Sequence, residues 1–160
     1  MPTQIHAVID PARSRVEART TSGQPILMDA DPPHGDDGAA GPIETVLAAL
    51  AGCTAMDVAS ILRKKRQEAV TYEIDVTGEQ AAEHPRILTA IRVEHRVTGP
   101  VDPEALRRSI ELSATQYCPV NAMLSALARI EHRYVLTRED GSTEQAVVAV
   151  VGPGERPARA

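Results

Sequence analysis

The chain carries two cysteines, Cys53 and Cys118, and thiols are the side chains in it able to do redox, nucleophilic or metal chemistry unaided. Their local surroundings differ. Cys118 immediately precedes Pro119 and so falls at the N-cap of a helix, where unpaired backbone N–H groups and the positive end of the dipole favour a thiolate. Cys53 lies inside an apolar segment with Asp57 one helical turn later, and a carboxylate there raises the thiol pKa unless an Arg from elsewhere intervenes. Local sequence therefore makes Cys118 the better-activated sulfur. An intracellular pair is more often catalytic, metal-binding or simply buried than a structural disulfide. The plain alternative is two small thiols filling gaps in an Ala-rich core.

Other residues offer less. His6, His34, His84, His95 and His132 are scattered without HxxH, HxxxH or Cys–His spacing, so no metal is expected and each reads as a surface or strand residue. Ser60 and Ser113 have no base at a recognisable spacing, which leaves serine hydrolysis unsupported. Arg63-Lys64-Lys65-Arg66 reads as the cationic complement of a helix C-terminus rather than an anion patch. Asp57, a carboxylate in a largely apolar helix, needs a partner: an Arg or helix terminus across a dimer, or exposure in a cleft.

A net charge of −5, with three Tyr and no Phe or Trp, leaves neither a basic face nor a stacking platform. Nucleic acid is disfavoured as a partner. The start MPTQIHAVID lacks a cationic, apolar leader pattern, and the longest strongly apolar run, 46–51, is far short of a bilayer span. A cytoplasmic protein with no membrane partner is expected.

The elements that must position the thiols follow from pattern. Short strands are predicted over 4–9, 15–21 and 25–28, with Ser22-Gly23 as a turn. DPPHGDDGAAGP, over 31–42, is a surface loop. Pro42 then opens a helix that places Glu44 in its first turn and ends at the basic run 63–66. Apolar nearly all round, it should be a central helix buried on most sides. Two alternating strands, 70–78 and 87–99, flank a hairpin loop. Asp102 as N-cap and Pro103 at the first helical position start a second helix, which Pro119 interrupts. A helical run over 119–130 and a strand over 130–139 close one domain, 1–139. The tail 140–160 is expected to be partly disordered, with AVVAVV able to add an edge strand. Antiparallel strands broken by helices signal an α+β fold.

GPIETVLAALAGCTAMDVASILRKKRQ together with SATQYCPVNAMLSALARI resembles the OsmC-like family of osmotically inducible and organic hydroperoxide resistance proteins, and within it the YhfA-like branch. The similarity lies in the run before the first Cys, MDVxSIL after it, the Y-C-x-V motif and the spacing of the cysteines, and covers roughly 23–136. It implies an OsmC-like α+β fold, with antiparallel sheets wrapped around long central helices in an intertwined, obligate homodimer. It also implies a thiol-dependent peroxidase: Cys53 attacks an organic hydroperoxide, Cys118 resolves the sulfenic acid, and an external dithiol resets the disulfide without metal or organic cofactor. In catalytic members an Arg from the N-terminal strands and a Glu at the start of the central helix hold the thiolate. Here Arg19 is chosen over Arg13 and Arg15, and Glu44 is the carboxylate. Glu44 stands nine residues before Cys53, against ten in those members, and nine steps turn a helix by about 180°. That departure and Asp57 keep open a non-enzymatic dimer that binds a small ligand or senses redox state.

Overall fold

The computed structural model describes residues 2–155. The expected disorder of the chain end falls in part on 156–160, outside the described residues. Residues up to Val46 form one compact unit and those from Leu47 onward a second.

In the smaller unit, β1 (Ile5–Asp10), β2 (Arg15–Thr20) and β3 (Pro25–Met28) form an antiparallel meander in the order β1-β2-β3. The β2–β3 turn is made possible by Gly23 at φ +84, a conformation that penalises any residue with a Cβ. Its N–H donates to the Thr20 carbonyl at 2.9 Å. The loop that follows is folded around Asp29, which is 3% exposed. The Asp29 carboxylate accepts from Ala30 N at 2.8 Å and Gly38 N at 2.9 Å. The Gly38 N–H, aided by the Ala30 amide and the Arg15 charge, holds its carboxyl below the usual carboxylate range.

The central helix α1 (Pro42–Lys64) opens as its sequence dictates, with Pro42 first and the Glu44 carboxylate reaching back to the Gly41 N–H at 2.7 Å. Burial departs from the expectation. Only the stripe Leu50, Thr54, Val58 and Leu62 is buried, the i, i+4 spacing of one helix face, while Met56 stays 75% exposed. Most of the remaining apolar residues, Leu47, Ala51, Ala55, Ala59 and Ile61 among them, are half-buried. By length and mean hydropathy, 1.8, α1 has the makings of a membrane span, contrary to the reading of a short apolar run. A core helix meets the same criterion.

The larger unit contains a four-stranded sheet in the order β4-β5-β6-β7, built from β4 (Thr71–Gln80), β5 (Leu88–Thr98), β6 (Arg129–Thr137) and β7 (Thr143–Val151). AVVAVV is thus in an edge strand. The sheet is mixed, which corrects the expectation of antiparallel sheets. β5 and β6 run parallel, with Val93 opposite His132 and His95 opposite Tyr134, because the helices between them form a crossover rather than a hairpin. α2 (Pro103–Leu112) starts at Asp102, whose side chain accepts from Ala105 N. Val58 and Leu62 of α1 and Leu106 and Ile110 of α2 pack with Val97, Tyr134 and Leu136 in the core.

Between α2 and α3 (Pro119–Leu124) the chain opens into a π-helical turn, Ser113–Tyr117. Cys118 N donates to Ser113 O at 3.0 Å, five residues back, and Cys118 itself is extended at φ −75, ψ 105. α3 ends at Leu124, short of the predicted 119–130, and Ala128 N donates back to Leu124 O at 2.9 Å in the turn that leads to β6.

Candidate functional site

The interior of α1 supplies Cys53, Thr54 and Asp57, and the π turn with the start of α3 supplies Ser113, Cys118 and Asn121. The sulfurs of Cys53 and Cys118 and a carboxylate oxygen of Asp57 all lie within 4.8 Å of one another. Both cysteines are free thiols, Cys53 half-buried and Cys118 buried. The N-cap position expected for Cys118 is realised: its Sγ accepts from Asn121 N at 3.3 Å. Thr54 Oγ1, at 3.7 Å, also faces that sulfur.

Cys53 is not activated within the chain. Burial pushes its thiol up to about 11, reinforced by a hydrogen bond with Cys118 and the charges of Cys118 and Asp57, while the Val120 N–H pulls the other way. The opposing effect anticipated for Asp57 is therefore present. The carboxylate itself takes a hydrogen bond from Ser113 Oγ at 3.0 Å, a partner that sequence reasoning missed.

Glu44 and Arg19 belong to the smaller unit. Glu44 is occupied with the Gly41 N–H. Arg19 is ion-paired with Glu17 and donates to the Gly23 carbonyl at 3.4 Å. Arg15 acts on Asp29.

Behind Cys118 lies a buried polar chain. Asn121 Nδ2 donates to the Ala114 carbonyl at 2.7 Å, and Asn121 Oδ1 meets His132 Nε2 at 2.9 Å. Since that oxygen accepts, His132 carries its proton on Nε2. His132 stacks on His95, with ring centroids 5.9 Å apart, and His95 Nδ1 shares a 2.7 Å hydrogen bond with Tyr72 Oη. His95 and His132 are strand residues, as one of the two expected placements has it, and are fully buried rather than at the surface. Burial pushes His95 down to about 3, helped by His132, and His132 down to about 4, so both imidazoles are neutral. Replacing Asn121 by Ala strands the His132 Nε2–H and the Ala114 carbonyl without partners. A loss of about 2–4 kcal/mol of stability is expected, read as a lower urea midpoint. An unchanged midpoint would mean that the network does not hold α3 in place.

An α+β unit that brings two free thiols together where a half-buried helix meets a π turn defines a dithiol protein, and its relatives give that class a family. The sequence model described as OsmC-like protein matches residues 35–133. Protein YhfA of Escherichia coli is 42% identical over 116 residues, covering 72% of this chain and 84% of that protein. The chain belongs to the OsmC-like family. Among solved structures, the OsmC like protein of Mycoplasma pneumoniae superposes with a TM-score of 0.73 at 20% identity, covering 85% of this chain and 97% of that one. The organic hydroperoxide resistance protein OhrB of Bacillus subtilis does so with a TM-score of 0.61 at 11% identity, covering 84% and 98%. At such identities these two share the fold.

Proposed function

We propose that the protein is a thiol-dependent peroxidase that reduces organic hydroperoxides through Cys53 and Cys118. The observation that carries this reading is the approach of the two free thiols, whose sulfurs lie within 4.8 Å, in a family that includes organic hydroperoxide resistance proteins by fold. A disulfide needs an S–S separation of about 2.0 Å, which side-chain rotation from such a distance supplies. Cys53, the more accessible sulfur, attacks the distal peroxide oxygen; the O–O bond breaks, the alkoxide leaves and takes a proton as the alcohol, and the sulfur becomes a sulfenic acid. Cys118 then displaces its hydroxyl as water to form the disulfide, and a dithiol returns both sulfurs to thiols while being oxidised itself.

The site is completed, in this reading, by an intertwined and obligate homodimer in the cytoplasm. Its support is the apolar surface left uncovered in each unit: Val8 and Ile9 of β1 are 61% and 60% exposed, and Met56 of α1 is 75% exposed. A partner also offers a cation to Cys53, with Arg19 as that cation and Glu44 as the carboxylate that orients it, once Glu17 and Gly41 release them. The test is consumption of cumene hydroperoxide and hydrogen peroxide with excess dithiol, on material whose mass is established by sedimentation. Sustained loss of the organic peroxide by a particle of twice 17.1 kDa is expected. A monomeric particle with full turnover would overturn the dimeric site, and no turnover would overturn the peroxidase. The raised pKa of Cys53 favours a second reading, a redox-sensing dimer. One oxidation per chain without turnover is its signature.

A further inference from the structure

We propose that the reduced thiol pair and Asp57 form a binding site for a thiophilic divalent cation of the zinc type. Tetrahedral zinc holds sulfur at about 2.3 Å and carboxylate oxygen at about 2.0–2.2 Å, which places the ligand atoms roughly 3.5–3.8 Å apart. The Cys53 and Cys118 sulfurs and the Asp57 oxygen, mutually within 4.8 Å, reach that tripod by shifts of about 1 Å. Two thiolates and a carboxylate so close together repel one another strongly, and a divalent cation is the charge that makes the trio compatible. Among the described residues no Lys, Arg or His forms a salt bridge with Asp57.

The surroundings are those of a supported ligand set. Ser113, fully buried, donates to Asp57 Oδ2 at 3.0 Å, the one side-chain hydrogen bond to that carboxylate among the described residues. That is the outer-shell hydrogen bond which orients a metal-binding carboxylate. Asn121 N donates to Cys118 Sγ at 3.3 Å, and the Val120 N–H acts on Cys53, so each sulfur keeps a donor when it loses its proton. Binding is an exchange: the cation replaces the protons of the two thiols, both go to solvent, and no electron moves. Three protein ligands leave a fourth position for water or a small anion. The cation and the peroxide compete for the same sulfurs. Disulfide formation removes two ligands at once and expels the cation.

The test uses the reduced, full-length protein without oxygen. Cadmium should give a thiolate-to-metal absorption band that saturates at one cation per chain, with release of two protons. Zinc affinity is then measured against a chromophoric chelator. Cys53→Ser and Cys118→Ser should each abolish the band. Asp57→Asn, checked for an unchanged circular dichroism spectrum, should weaken zinc by tenfold or more. A missing band, or zinc affinity unchanged in Asp57→Asn, would overturn the site. Peroxide consumption is a separate reading of the same preparations: tight, Asp57-dependent binding in a protein that turns over no hydroperoxide would sink the peroxidase and leave the cation site standing.

Discussion

Cys53→Ser should lower steady-state consumption of cumene hydroperoxide by about 10³-fold or more, to the uncatalysed background, because a serine hydroxyl is far too weakly acidic and too poor a nucleophile to cleave the peroxide bond. Cys118→Ser should behave differently. Its Cys53 remains able to attack once, so one equivalent of peroxide per chain is consumed rapidly, and the sulfenic acid then persists or advances to sulfinic acid for want of a resolving thiol. Intact mass before and after a single equivalent of peroxide separates the two variants: the sulfenic mass appears in Cys118→Ser and not in Cys53→Ser. The division of labour rests on access, since Cys53 is half-buried and Cys118 only 3% exposed. Helix α3 acts in the opposite sense, because its N-terminal amide donates to Cys118. The reverse outcome, a first turnover that survives Cys53→Ser and is lost with Cys118→Ser, would show that this amide outweighs accessibility and that the roles are exchanged.

Stability should fall steeply between pH 6.5 and pH 5, before most carboxylates titrate. His95 and His132 have pKa values of about 3 and about 4 in the fold, against 6.5 in the unfolded chain. Below pH 6.5 the unfolded chain therefore binds more protons than the folded one, and stability drops as pH falls. The contribution is whole above pH 6.5 and exhausted near the folded values. Between pH 7 and pH 5 the two imidazoles together should remove about 3–4 kcal/mol of unfolding free energy, each costing about 1.4 kcal/mol for every tenfold rise in proton concentration once the unfolded chain is protonated. Burial is the main cause, and nothing beside the rings offsets it: His95 Nε2 and His132 Nδ1 are buried with no hydrogen-bond partner, so a proton added to the stack finds no acceptor. Urea unfolding at pH 7 and pH 5 measures the loss, and His132→Gln should flatten the dependence by about half. An equal unfolding free energy at the two pH values would mean that the imidazoles find water or charge on acidification.

These two expectations draw on parts of the chain that are unequally legible in the sequence. Pro42, Glu44, Asp102 and Pro103 mark helix starts by local chemistry, and the helices begin there. Pro119 alone is enough to put Cys118 at an N-cap, for the same reason. The burial of His95 is also written in the strand, in phase with Ile91, Val93 and Val97, as is that of His132 with Ile130, Tyr134 and Leu136; metal-ligand spacing is blind to this period-2 signal. Ser113 beside Asp57 is not legible, because a π turn adds a residue per turn and no local pattern announces it. The limited burial of α1 follows from a different cause. An all-round apolar pattern does not say which face the fold will bury, and here only the i, i+4 stripe is fully covered. The parallel pairing of β5 and β6 escapes a sequence reading because strand patterns carry burial but not direction.

That parallel pairing also governs when the thiols meet. β5 and β6 are joined in register, Ala90 opposite Arg129 through Thr98 opposite Thr137, and everything that presents Cys118 lies on the excursion between them. A pairing of such long sequence separation closes a large loop and is slow relative to helix or hairpin formation. During synthesis Cys53 emerges in α1 well before β6 exists to anchor the far end of that excursion. The newly made chain therefore passes through a period in which its sulfurs are held by nothing, and their approach to within 4.8 Å is a late event, a product of maturation.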